Sequence, residues 1–329
     1  MQVEVQPSTV RHRPAARVSG PRWLKRTGVL VPLLVAMVMT LSGLSPYFLT
    51  AENLLNALLA VAAMGIIAVP MTMVLVSGGI DISVGAVAAL SGVVTALAVE
   101  RAGAWMAMAA GLLVGGAIGL VNGTLIEKAK MNAVIVTLAT MSIARGLAFV
   151  LTGGLTVPVV DPLFWGIGLG TVLGVPIPVI PFFLIVVAGW VIMARTVFGR
   201  SLYAVGANKV ASRLAGLRVE RVAMWAYVLS GLAAGLSGIL LTAQLAAGAP
   251  QAAAGLEFSV IAAVVLGGTS LSGGSGTITG TTLGVLLLGV LSSGFLMLNV
   301  SSYYQDVARG LVLLLAVALD QLGHRGDEV

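Results

Sequence analysis

The sequence predicts an all-α integral membrane protein of about ten transmembrane helices, in two pseudo-repeated halves, with glycine-rich broken helices in each half. Three observations predict it. First, 58% of the 329 residues are hydrophobic and 9% are charged, whereas a soluble domain carries about 25% charged residues. With a mean hydropathy of +1.06, the chain has too little polar side chain to coat a water-exposed surface. Second, apolar stretches of about 20 residues, the length a bilayer crossing needs, recur along it. Third, the basic residues fall on alternate connections between those stretches.

The elements follow in order. Residues 1–28, MQVEVQPSTVRHRPAARVSGPRWLKRTG, form a basic tail expected on the cytoplasmic side. The apolar run after it lacks a small-residue cleavage site, with LSGLSPYF in its place, so it reads as an uncleaved first span. Spans are expected near 29–48, 53–76, 83–99, 103–126, 132–151, 175–194, 222–247, 257–270, 277–298 and 303–320, with room for a re-entrant piece in 153–175. A cytoplasmic tail, 321–329, closes the chain. Of the 18 Lys and Arg residues, fifteen then lie on the inner side. They are those of the tail, Lys128, Lys130, Arg195, Arg200, Lys209, Arg213, Arg218, Arg221 and Arg325. Arg101 falls outside, and Arg145 and Arg309 fall within spans. Both termini are therefore expected in the cytoplasm, and the net charge of +6 is accounted for without nucleic acid.

Composition also excludes chemistry. There is no cysteine, hence no disulfide framework or thiolate metal site. The two histidines, His12 and His324, lie near the ends, so no imidazole serves acid–base catalysis in the body of the chain. No Gly-Lys pair occurs, which rules out a phosphate-binding loop. The expectation is a chain that is not an enzyme and binds no cofactor or metal of its own.

Two connections break the charge pattern. SGGIDISVG (77–85) and GGTSLSGGSG (267–276) carry no Lys or Arg, and each follows an apolar, partly β-branched run. Irregular backbone at membrane depth persists only where protein or a watery cavity satisfies it, and paired broken helices mark substrate paths in transporters. Gly78, Gly79, Asp81, Ser83 and Gly85 in the first break, and Gly267, Gly268, Thr269, Ser270, Gly273 and Gly274 in the second, are the candidate pathway or hinge residues. Ser83, Thr269 and Ser270 offer hydroxyls for transient contact with a polyol. The competing reading of the first break is an interfacial loop with Asp81 capping the next helix.

The longest inner loop contains NKVASRLAGL (208–217). Asn208 can cap a short helix and Gly216 can end it. Ala211, Leu214, Ala215 and Leu217 form an apolar side; Lys209, Arg213 and Arg218 mark the other. It reads as a surface helix that docks a soluble partner, or as a basic loop that only obeys the inside rule. On the outer side, Glu52, Glu100, Asp161, Glu257 and Asp306 suggest an acidic face. Asn122, Arg145, Gln244 and Arg309 are costly polar groups within spans, and Arg145 and Arg309 are weighted toward holding the fold.

Four stretches carry a family resemblance: SGGIDISVGAVAALSG (77–92), GRSLYAVGANKVASRLAGLRV (199–219), AAVVLGGTSLSGGSGTITGTTLG (262–284) and VSSYYQDVARGLVLLLAVALD (300–320). Together they resemble the permease subunits of bacterial ABC importers for monosaccharides, most closely the ribose type. The resemblance spans about residues 29–320, which it makes one transmembrane permease domain. It implies import of a small sugar by alternating access, and a permease dimer, a homodimer by preference, in the bacterial inner membrane. Separate ATPase subunits would bind ATP and Mg²⁺, and an extracytoplasmic binding protein would deliver sugar to the acidic outer face. It further implies that 204–217, with Asn208, Lys209, Ala211, Ser212, Arg213, Leu214, Ala215, Gly216 and Leu217, is the segment that couples to the ATPase. An ATPase-independent sugar symporter, and an ABC permease of the same architecture for nucleosides or branched-chain amino acids, are the alternatives.

Overall fold

The computed structural model describes residues 22–325. Most of the basic N-terminal tail, residues 1–21, and the last four residues of the chain lie outside the described residues. The chain forms helices α1 (Arg22–Leu44), α2 (Ala51–Val76), α3 (Val84–Glu127), α4 (Ala133–Thr152), α5 (Pro162–Leu169), α6 (Val179–Arg195), α7 (Val197–Ala207), α8 (Lys209–Leu214), α9 (Val219–Leu245), α10 (Leu256–Leu266), α11 (Ile278–Met297) and α12 (Ser302–Arg325). Four two-residue strands accompany them: β1 (Val157–Pro158), β2 (Thr171–Val172), β3 (Val175–Pro176) and β4 (Ala247–Gly248).

The all-helical membrane character holds. Among the described residues, five helices (α2, α3, α4, α9 and α11) are long and apolar enough to cross a membrane, or six if α6 and α7, bent by 70° at their junction, count as one. The expected spans 83–99 and 103–126 are one element, α3, whose backbone departs from helical geometry at Gly103 (φ 76°, ψ 165°). Its two arms, 84–102 and 104–127, fold back on each other. A methyl group on Gly111 of the second arm would meet the Ser91 carbonyl of the first at 3.1 Å. The expected eighth span shrinks to the 11 residues of α10. Residues 153–175 hold α5 and the tiny strands β1 and β2. β1 pairs antiparallel with β4, tying this loop to the end of α9, and β2–β3 is a hairpin through the positive-φ Leu173 and Gly174.

α2 is the central post. It is apolar on all sides, as a helix in the middle of a bundle must be, and every residue from Val61 to Val76 is buried. Its start is capped by Thr50, whose hydroxyl accepts from the Asn53 amide at 3.3 Å. α3 and α9 pack against each other through small residues: Gly111, Gly115, Gly119 and Gly123 line one face of α3 at four-residue spacing, with Gly231 and Gly235 of α9 opposite, while Gly238 of α9 packs on Ala88 and Gly92 of the other arm. In lipid there is no hydrophobic drive between helices, so such close backbone approach supplies the packing energy instead. A methyl on Gly115 would meet the Gly235 Cα at 2.9 Å.

Candidate functional site

Both glycine-rich breaks begin with the same local geometry. After α2, the Gly78 amide donates to the Leu75 carbonyl at 2.9 Å and Gly79 to Val74 at 3.0 Å. After α10, Gly268 donates to Val265 at 2.9 Å and Thr269 to Val264 at 3.2 Å. This paired pattern ends a helix only if the residue after the cap is left-handed, which favours glycine. Gly78 and Gly268 have φ of 81° and 88°.

The breaks also touch. The Gly274 amide donates to the Val76 carbonyl at 2.9 Å, so the end of α2 is bonded to the second break. A third segment joins them. The last turn of α7 lies so close that a methyl on Gly206 would overlap the Val76 carbonyl and meet the Gly274 nitrogen at 2.6 Å. Tyr203, one turn earlier, donates its hydroxyl to the Gly276 carbonyl at 2.8 Å. α7 thus ends on both breaks, and α8 follows it directly.

α8 is capped as its sequence suggests: the Asn208 side chain accepts from the Ala211 amide at 2.9 Å, and Gly216 follows the helix at φ 84°. Its basic side is pinned to the body. Lys209 lies 3.3 Å from the buried Glu127 at the end of α3. Arg213 pairs with Glu220 in the first turn of α9, and Lys130 reaches the same carboxylate at 3.2 Å. Ser212 faces inward and is buried. The apolar side points out: Leu214 is 85% and Val210 66% exposed. Ala211, Ala215 and Gly216 are also exposed, and Leu217 is half-buried. A cavity of about 750 Å³ opens between α8 and the first break, lined by Gly78, Gly79, Lys130, Asn132, Lys209 and Arg213 among others.

Other sequence candidates are placed elsewhere. Asp81 is buried and accepts from the Ser83 amide at 3.1 Å, the Ser83 hydroxyl at 2.6 Å and the Ser230 hydroxyl at 2.9 Å. Asn122 donates to Ser83 at 3.1 Å, and Thr140 donates to Asn122 at 2.6 Å. This polar chain ties the first break to α9, α3 and α4. Asp81 thus braces the turn before α3, with none of its bonds reaching the amides of that helix. Gly85, in the first turn of α3, abuts the Ala253 carbonyl and Glu257. Gly267 packs on Gly280 of α11, and Gly273 on Gly78. The three hydroxyls expected to meet a polyol, Ser83, Thr269 and Ser270, are each at most 2% exposed, and none lines a described cavity.

Of the five acids expected on the outer face four are described, and the Asp306 side chain lies outside the described residues. Glu52 and Glu100 are exposed, but Glu257 is buried and Asp161 is spent capping α5 through the Leu163 amide at 2.9 Å. Arg145 donates to the Pro250 and Ala252 carbonyls at 2.8 and 2.9 Å, holding the loop before α10. Among the described residues no cluster of His, Asp or Glu is placed to hold a metal ion. Sequence reading missed Gly206, Tyr203, Val210, Glu127 and Glu220. Of these only Val210 carried a local signal, as a large apolar residue inside a basic loop.

The chain resembles known transport proteins over nearly all its length. The family model for the branched-chain amino acid transport system permease component matches residues 53–317. The ribose import permease of Escherichia coli (strain K12) is 43% identical over 313 residues, covering 92% of this chain and 97% of that protein. The ribose import permease of Bacillus subtilis (strain 168) is 44% identical, over 91% of this chain and 93% of its own length. The L-arabinose ABC transporter permease of Azospirillum brasilense is 41% identical, over 93% and 91%. No solved structure matches the chain. The chain is a multi-pass membrane permease subunit of an ABC importer, not an enzyme, and belongs to the family of branched-chain amino acid transport system permease components, which its likeness to ribose and arabinose permeases places on the sugar side.

Proposed function

We propose that the chain carries a small neutral sugar, a ribose-like pentose first, across the bacterial inner membrane as one of a pair of identical permease chains. It works by alternating access and is driven by an ATPase that grips residues 204–217. An extracytoplasmic binding protein delivers the sugar near Glu52 and Glu100. The ATPase, and not this chain, holds ATP and Mg²⁺. The breaks at 77–85 and 267–276 are the pathway hinges, and the shared capping pattern at their starts supports descent of the two halves from one repeat. Ten crossings with both ends cytoplasmic fit the folded-back arms of α3 and the gathering of Lys130, Lys209 and Arg213 at one end.

One observation carries the mechanism: the α7 end is in backbone contact with both breaks through Gly206, Val76 and Gly274. A pull on α8 is transmitted along α7, without a flexible linker, to the two places where the central helices are interrupted. Bundles with two packings respond to such a bias by switching. The relatives that are ribose and arabinose permeases support pentoses as the cargo. The family description favours a second reading, branched-chain amino acids. The test is uptake of labelled ribose, arabinose, glucose and leucine into proteoliposomes that contain permease, ATPase and binding protein. Ribose uptake that needs all three and ATP is the expected result. Uptake that persists without the ATPase would instead indicate a symporter, and leucine uptake alone would indicate the second reading.

A further inference from the structure

A second cavity, of about 550 Å³, lies toward the other end of α2. It is walled by α2 at Val61 and Met64, by the loop and first turns of α10, and by α9, α11 and α12. Met64 and Gly78, which line the two cavities, are about 20 Å apart along the chain's helical rise of roughly 1.5 Å per residue. Between them the Thr72 and Thr281 hydroxyls bond across to α11 at 2.6 Å. The protein therefore has one cavity toward each end of its central helix, and the α2 residues between them are buried, with a smaller apolar cavity of about 330 Å³ against Val69, Pro70 and Met73.

We propose that this second cavity is the chamber in which a monosaccharide waits before passage, with Ser259, Ser292 and Arg309 as its polar contacts and Phe258 as its aromatic wall. The assignment rests on the sugar-importer reading above and names the site within it. Its size lies in the range of small-ligand pockets, ~300–1,000 Å³. Its lining suits a neutral polyol. Serine hydroxyls both donate and accept, as sugar hydroxyls do, and a guanidinium only donates. A phenyl face covers the apolar C–H side of a sugar ring. Among the described residues no Asp or Glu lines the cavity, and the few polar groups bind a sugar weakly enough to release it. Ser83, Thr269 and Ser270 line no described cavity, whereas Ser259 and Ser292 line this one.

The chain contains no cysteine, so Ser292→Cys and Ser259→Cys each place a single thiol in a thiol-free permease. The experiment treats each variant, reconstituted with ATPase and binding protein, with the membrane-impermeant reagent 2-sulfonatoethyl methanethiosulfonate, and follows both labelling and ribose uptake. Labelling of both thiols is expected, with uptake falling in step with the labelled fraction as the passage fills, while ATP hydrolysis continues. Two different helices are probed, so misfolding of one variant leaves the other to decide. The chamber is overturned if neither thiol reacts, or if the fully labelled permease carries ribose at the unlabelled rate. If the parent complex carries no monosaccharide at all, the importer reading falls first and the chamber with it.

Discussion

Asp81 is the residue whose environment most constrains what it does. A carboxylate with three donors aimed at it in a sealed interior is a brace between segments, because removing it strands the donors as well. Asp81→Ala leaves the Ser83 and Ser230 hydroxyls and the Ser83 amide without their acceptor. The expected loss is about 1–3 kcal/mol, read as a lower midpoint of thermal unfolding in detergent. Asp81→Asn keeps one acceptor oxygen and should lose less. Equal midpoints for Asp81→Ala and the parent would show that the polar chain from Ser230 to Thr140 contributes nothing. The odd acid in an apolar stretch was visible in the sequence, with Ser83 beside it. Its distant partner was not, because Ser230 lies 149 positions away and only folding brings it in.

At the scale of elements, α8 shows how local chemistry differs from tertiary placement. Asn208 before the helix and Gly216 after it are signals within one turn of the structure they set, so the helix and its ends were legible. Which side would face the body was not, because ion pairs with Glu127 and Glu220 decide it. With the basic side pinned, Val210 and Leu214 project outward, an exposed apolar pair on a helix held by charges. Val210→Asp and Leu214→Asp should therefore abolish ATP-driven uptake while leaving the unfolding midpoint near that of the parent, since neither side chain contributes to the core. Uptake at the parent's rate in both variants would remove α8 from the ATPase contact. The α3–α9 seam behaves in the opposite way. Gly115→Val inserts a branched side chain where the facing backbone leaves no room. Overpacking of this kind costs about 1–3 kcal/mol, and more where backbone rather than a side chain must move. A lower yield of folded protein and a lower midpoint are expected. The glycine spacing along 111–123 is a close-packing pattern that the sequence reading did not single out. Its partner helix, like the meeting of Gly206 with Val76 and Gly274, is a contact between distant backbones that no side-chain pattern announces.

For the whole molecule the governing fact is a cavity toward each end of one buried post. A passage open at both ends would leak solute down its gradient, so a permease of this design must expose one cavity at the expense of the other. α7 reaches both breaks, and the breaks cap the ends of α2 and α10, two helices that also wall the second cavity. On the proposed mechanism a shift of α8 acts on both cavities through the same rods, and their exposures should move in opposite senses. Met131 lines the first cavity and is 47% exposed, so Met131→Cys reports on that end, as Ser292→Cys does on the other. The rate at which each thiol reacts with an impermeant reagent, applied to its own side, is measured before and after trapping the ATPase with a non-hydrolysable ATP analogue. One rate should rise and the other fall. A population shift can produce no other sign if each ligand state favours one packing of the bundle. Rates that rise or fall together would mean that the cavities open independently, and the connection through Gly206 would then be packing without transmission.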